Sequence, residues 1–237
     1  MIKKSKFYYV CDMMDKNLLS FLEGYVTDRR KQKFKEVLDQ RTRHFTVVLE
    51  NIFQPHNASA VIRSCDIFGV QDVYSIEDYN INKVSRRVAK GSQQWITLNR
   101  YKEDGNNAVT CFKDLKDKGY QIIATTPHTD SCILSDFDIT KKTAFVFGSE
   151  KEGVSDYVKK HADGFLKIPM VGFTESLNIS VAAAITLHDV TSRMKLQKND
   201  WQLEDNEKEV LYTEWIEKSI KNLDKLKKHY QKENKAE

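Results

Sequence analysis

Residues 143–155 read TAFVFGSEKEGVS, an apolar run that breaks into a polar loop flanked by glycines. An open α/β sheet places its ligands beyond the carboxyl ends of such strands. The loop comes close to a phosphate-binding one. Gly148 and Gly153 have the G-x-x-x-x-G spacing, and Ser155 stands where the hydroxyl belongs. Val154 occupies the place of the lysine that reaches the β- and γ-phosphates, so a triphosphate site fails on that residue. The loop is built to hold something else.

Outward from this strand, short apolar runs alternate with helical patterns. TVVLENI (46–52), DVYSIE (72–77), WITLNRY (95–101), QIIAT (121–125), TAFVFG (143–148) and GFLKIPM (164–170) read as strands or buried apolar runs. ASAVIRSCDIF (58–68) has helical spacing and ends at Gly69, a C-cap. SRRVAKG (85–91) fits a short helix, and AVTCFKDLKDKG (108–119) an amphipathic one closed by glycine. LNISVAAAITLHDVTSRMK (177–195) is a long helix with a small-residue face at Ala182, Ala183 and Ala184. Strands alternating with helices predict an α/β domain, a mainly parallel sheet covered on both faces, over residues 45–197.

The flanks differ in texture. Residues 1–44 form a basic helical N-terminal extension; within it, DRRKQKFKEVLDQRTRH (28–44) carries seven Lys/Arg against three acids. Residues 198–237 form a helical C-terminal extension. There Ile216, Ile220, Leu223 and Tyr230 lie on one stripe, and Lys218, Lys221, Lys225, Lys228 and Lys232 on another. Each basic face suits either solvent or a phosphate backbone. The net charge of +4 permits nucleic-acid binding without requiring it. Cys11, Cys65, Cys111 and Cys132 spell neither a zinc site nor a redox pair and read as reduced thiols of a cytoplasmic protein. There is no metal motif, no secretory signal and no apolar run long enough to span a membrane.

Candidate chemistry gathers at strand ends: Thr125 and Thr126, the GSEKEG loop, and IPMVGFTESLN (168–178). Earlier, Asn57 reads as the N-cap of the 58–68 helix, with Arg63 well round that helix from it. Such a cluster is either a cap with a surface arginine or a place to receive a phosphate. His56 and His128 are isolated. No G-x-G-x-x-G follows the first strand, and no Cys–His pair or G-x-S-x-G elbow occurs.

Three blocks together resemble the SPOUT RNA 2′-O-ribose methyltransferases. They are NASAVIRSCDIFG (57–69), FGSEKEGV (147–154) and IPMVGFTESLNISVAAA (168–184), in the family's order. Over residues 28–195 the resemblance is nearest to the branch that methylates guanosine 18 in the D-loop of tRNA. It implies a SPOUT fold whose C-terminal part is tied in a trefoil knot, a homodimer, and S-adenosyl-L-methionine as cofactor, with no metal. By position it implies cofactor contacts at Thr125, Gly148, Ile168, Met170 and Leu177. It assigns the catalytic site to Arg63, Asn57, Glu150, Ser176 and Asn178. Arg63 is implied either as the base or as the group that positions the phosphate and polarises the hydroxyl. Arg29, Arg30, Arg41 and Arg43 are implied as tRNA contacts.

The sequence departs from that branch at Glu175, where a Gln is usual, and at Ile52–Gln54, where Val-His-Lys is usual. A 2′-O-methyltransferase of ribosomal RNA or of another tRNA position therefore stays open. So does, in another class, a non-catalytic RNA-binding factor, against which the five intact site residues argue.

Overall fold

The structure, a computed structural model, describes residues 16–80, 89, 91–103, 105–126, 131–197 and 200–234. The expected helix at 85–91 falls almost wholly outside the described residues, as do His128, Cys11 and the first part of the N-terminal extension.

The chain divides into two compact units, one of residues 42–201 and one built from both terminal segments. In the larger unit the strands are β1 (Phe45–Glu50), β2 (Asp72–Ile76), β3 (Thr97–Tyr101), β4 (Gln121–Thr125), β5 (Cys132–Ile133), β6 (Thr143–Phe147) and β7 (Gly164–Lys167). They form a sheet ordered β3-β2-β1-β6-β4-β7-β5, and every pairing is parallel. β1, β2 and β6 are buried along their whole length, which is why their sequences read as continuous apolar runs rather than alternating ones.

The helices of this unit are α3 (Pro55–Phe68), α4 (Asn107–Asp117), α5 (Asp156–His161) and α6 (Ile179–Leu196). Alternate strand residues feed two cores. Val47, Leu49, Phe145 and Phe147 point toward α3 and α6, joining Ala58, Val61, Ala183 and Leu187. Val48, Tyr74, Ala144 and Val146 join Cys111, Leu115 and Val158 of α4 and α5. Ala183 thus belongs to the core, where its small side chain allows α6 to approach α3.

Several boundaries differ from the sequence reading. α3 begins at Pro55, not after Asn57, because proline is favoured in the first helical turn; Asn57 is a helical residue and not the cap. Gly69 closes α3 with φ 83°, as its position predicts. The run GFLKIPM leaves the sheet after Lys167, so Ile168 to Met170 are loop. β5 is only two residues long, too short for periodicity to reveal.

The smaller unit holds α1 (Lys16–Glu23), α2 (Asp28–Leu38), α7 (Asp205–Ser219) and α8 (Leu223–Glu233). Its core packs Phe34 against Trp215 with ring centroids 5.6 Å apart. The C-terminal apolar stripe does not run through one helix. Asn222, with φ 61°, turns the chain between α7 and α8.

Candidate active site

The sheet order alone collects the expected cofactor positions. β6, β4 and β7 are neighbours, and Thr125, Gly148 and Ile168 lie at or just past their carboxyl ends. Strands about 4.8 Å apart bring three such ends within one ligand's length. The Thr125 hydroxyl donates to the Val146 carbonyl at 2.9 Å, tying β4 to β6 where both stop.

The loop after β6 is closed on itself. Ser149 and Gly153 exchange backbone hydrogen bonds, both at 2.9 Å. Gly148 lies so close to this bridge that a Cβ there would sit 2.1 Å from the Gly153 carbonyl carbon. Only glycine fits. Gly153 itself has φ 69°, the left-handed region that glycine enters freely.

Glu150 at the tip of this loop organises three distant segments. Its carboxylate accepts from the backbone N–H of Phe53 (3.1 Å) and Gln54 (3.3 Å), just before α3, and from Asn57 Nδ2 (2.6 Å). Asn57 Oδ1 accepts from Asn178 Nδ2 at 3.2 Å. Asn178 Oδ1 accepts in turn from the Ser180 backbone and hydroxyl, capping α6. Burial pushes the Glu150 carboxyl up, but the bonds from Asn57 and the backbone outweigh it and hold the group below its ordinary range. The carboxylate is also well placed beside the positive end of α3. Glu150, Asn57 and Asn178 are thereby brought into one network.

Arg63 is not part of it. Seven residues after His56 it returns to nearly the same side of α3, since seven steps of about 100° fall only ~20° short of two turns. It is half-buried and has no hydrogen-bond or ion-pair partner among the described residues. Ser176 is exposed, likewise without a hydrogen-bond partner among the described residues. It lies in the segment 168–178, which forms no regular structure. There Met170 and Leu177 are partly exposed, and Val171 and Phe173 wholly so.

The expected RNA contacts separate into two kinds. Arg29 and Arg30 are exposed on α2. Arg41 is only 1% exposed, its guanidinium 5.5 Å from the Trp215 ring centroid. Buried there it reaches no phosphate, and it serves the core of the smaller unit. Arg43 is paired with Asp72 at 2.9 Å on a largely buried surface and holds the sheet instead.

One residue near the site escaped the sequence reading. Glu50, the last residue of β1, is 2% exposed and accepts from the Ser155 backbone N–H (2.8 Å) and hydroxyl (2.5 Å). Burial raises the Glu50 carboxyl above its ordinary value, and the two Ser155 bonds partly oppose this. The signal was present as a charged residue ending the apolar run TVVLE and a Ser-Asp helix start at 155–156.

Beyond the carboxyl ends of β1 and β2 lies a cavity of about 530 Å³ lined by Glu50, Glu77, Asp78, Glu103 and Tyr79 among others. Arg100 neutralises Glu77 with two hydrogen bonds, and Asn107 donates to Asp78. Among the described residues no group of three or more His, Cys, Asp or Glu could hold a metal ion, and no helix is long and apolar enough to cross a membrane.

Residues 44–188 match the SpoU rRNA methylase family. The chain is 41% identical over 204 residues to the tRNA (guanosine(18)-2′-O)-methyltransferase of Borreliella burgdorferi, covering 86% of this chain and 92% of that protein. The structure of the A. aeolicus TrmH/SpoU tRNA modifying enzyme superposes with a TM-score of 0.73 at 29% identity, over 82% of this chain and 98% of that one. At the level of fold, the SpoU methyltransferase AviRb of Streptomyces viridochromogenes, solved with AdoMet, gives a TM-score of 0.58 at 24% identity over 69% and 62% of the two chains. The network at the ends of β6 and β7 and the start of α3 is therefore the candidate active site of a chain that belongs to the SpoU rRNA methylase family.

Proposed function

We propose that this protein transfers a methyl group from S-adenosyl-L-methionine to the ribose 2′-hydroxyl of guanosine 18 in the D-loop of tRNA, as a cytoplasmic homodimer. The observation that carries the reading is the convergence of three sequence-distant blocks through Glu150, Asn57 and Asn178 at one sheet edge. The substrate follows from relatives of that specificity that align over most of the chain.

The residues at the edge fit the cofactor. Gly148 lets the loop close tightly against Gly153, while Ile168, Met170 and Leu177 supply apolar cover for a heterocycle. Thr125 closes the floor. When bound, the cofactor supplies a methyl group already activated on a sulfonium. The protein's remaining task is to align the ribose and ease the loss of a proton from a weakly acidic hydroxyl. Arg63 engages the RNA phosphate beside that ribose and polarises the hydroxyl; guanidinium keeps its charge and suits phosphate in a bidentate grip. Asn57 orients Arg63 or the ribose, Glu150 fixes the loop, and Ser176 and Asn178 shape the start of α6.

Exposed apolar side chains support the dimer. Val181 and Ile185 lie one turn apart on α6, and Ile67 is exposed on α3, a surface that a second copy would cover. The terminal segments are read as the tRNA-gripping unit, with Arg29, Arg30 and the exposed Lys221, Lys225, Lys228 and Lys232 facing phosphate. The knotted C-terminal topology of the SPOUT fold belongs to the same reading.

The test is methyl transfer from labelled S-adenosylmethionine to unmodified tRNA and rRNA transcripts, with the product mapped by nuclease digestion. 2′-O-methylguanosine in the D-loop is expected; label confined to rRNA discards the substrate but keeps the chemistry. Arg63→Ala is expected to cut turnover by about 10³-fold while S-adenosylmethionine still binds, the loss typical of a group acting on the reacting proton.

A further inference from the structure

Glu50 has a role beyond the five site residues. Its strand, β1, lies between β2 and β6 and is paired with β2 to its last residue. Asn51 then turns with φ 50°, its backbone N–H bonded to Ile76 and its side-chain oxygen to the N–H groups of Asp78 and Tyr79. Glu50 is therefore fixed in place. Its carboxylate, nearly sealed from water, meets Ser155 at the base of the loop that begins at Gly148. A buried carboxylate needs such donors, and Ser155 supplies two from one residue. The Ser155 hydroxyl also accepts from the Val158 N–H, so the same oxygen caps α5.

The loop thus has two carboxylate staples on two different segments. Glu150 ties its tip to the start of α3, and Glu50 ties its base to β1. Val154, buried between them, keeps the base in the core but fixes no direction for the loop's backbone groups. Hydrogen bonds to Ser155 do fix one.

We propose that Glu50 is a positioning residue for S-adenosylmethionine, acting through Ser155 to set the orientation of the 148–155 loop. The inference rests on the reading that this loop holds the cofactor.

The experiment is calorimetric titration of S-adenosylmethionine into the full chain, with KM for cofactor and for tRNA measured separately. Glu50→Ala should weaken cofactor binding about tenfold, as expected for hydrogen bonds to a charged group, and leave KM for tRNA unchanged. Glu50→Gln, which can still accept from the N–H and bond the hydroxyl, should recover most of the affinity. Ser155→Ala should lose part of it and Ser155→Thr restore it. A folded Glu50→Ala protein with wild-type cofactor affinity overturns the proposal, as does a loss shared equally by both KM values. If Glu50→Ala does not fold, Ser155→Ala decides: unchanged affinity overturns the proposal. Leu177→Asp, at a partly exposed position, tests the underlying reading. If it binds cofactor normally, the placement of the cofactor fails; if it does not bind while Glu50→Ala does, only the role of Glu50 fails.

Discussion

The two loops that frame the candidate cofactor site are built in opposite ways. The 148–155 loop closes on itself through the Ser149–Gly153 bridge and is held at tip and base by Glu150 and Glu50. The 168–178 segment makes no regular structure and turns Val171 and Phe173 fully to solvent. One loop is finished by the chain itself. The other presents apolar groups that water does not favour. The arginines divide in the same way: Arg41 is buried and Arg43 largely buried within their units, whereas Arg29 and Arg63 face outward or lack a partner among the described residues.

The contrast breaks most readily at Gly148. A Cβ there would lie 2.1 Å from the Gly153 carbonyl, and what it meets is backbone rather than a flexible side chain. Gly148→Ala must open the bridge, and strain of roughly 3 kcal/mol translates into about a hundredfold loss of S-adenosylmethionine affinity. Calorimetry checks it; near-normal affinity would show that the closed loop is not what the cofactor meets.

Hydrogen exchange sharpens the contrast next. Amides of residues 171–177, with no secondary structure to protect them, should exchange quickly in the free protein and at least about tenfold more slowly with S-adenosylmethionine bound. Ser149 and Gly153, already bonded to each other, should change far less. Equal protection of both loops would remove the distinction between them.

The arginines give a smaller effect. Replacing Arg29 and Arg30 together by Ala should leave the melting temperature unchanged and reduce the slope of log affinity for tRNA against log salt by about 1.5, as two lost phosphate contacts require. Arg41→Ala should do the reverse, lowering Tm by several degrees with little change in slope, since a buried cation over an indole contributes about 1–2 kcal/mol. Matching salt slopes for the two variants would return Arg41 to the RNA surface.

What could be read in the sequence follows from what is local. Gly69 as a C-cap, the fully buried β1 and β6, and the three blocks at strand ends depend on neighbours a few residues away, and each was legible. The start of α3 was misplaced because Asn57 looks like a cap until Pro55 is given its preference for the first turn. The strand 164–170 was drawn too long because apolar Ile168 and Met170 continue the pattern past Lys167, where the strand pairing ends. Arg41 was misread because Trp215, which buries it, comes from the far end of the chain. Glu50 went unnoticed for the same reason: its partner Ser155 is distant in sequence, and a carboxylate ending a strand announces no partner by itself.

The smallest effect tests the two staples against each other. Glu150 has a carboxyl held below its ordinary value of 4.5, so the stabilisation it gives is complete above that value and lost as pH falls through the lowered one. Glu50 has the opposite sign. Its carboxyl is raised, the fold holds that proton more tightly than the unfolded chain does, and stability declines as pH rises through the raised value. The melting temperature of Glu150→Gln should therefore lie below wild type near pH 7, with the gap closing as pH falls below 4.5. That of Glu50→Gln should improve relative to wild type as pH rises above 4.5, where the unfolded chain ionises before the buried native carboxyl does. Both changes should be small, the first because Glu150 is an exposed loop residue screened by water. Gaps that move together with pH would mean that the tip and the base of the loop are not held by separate carboxylates.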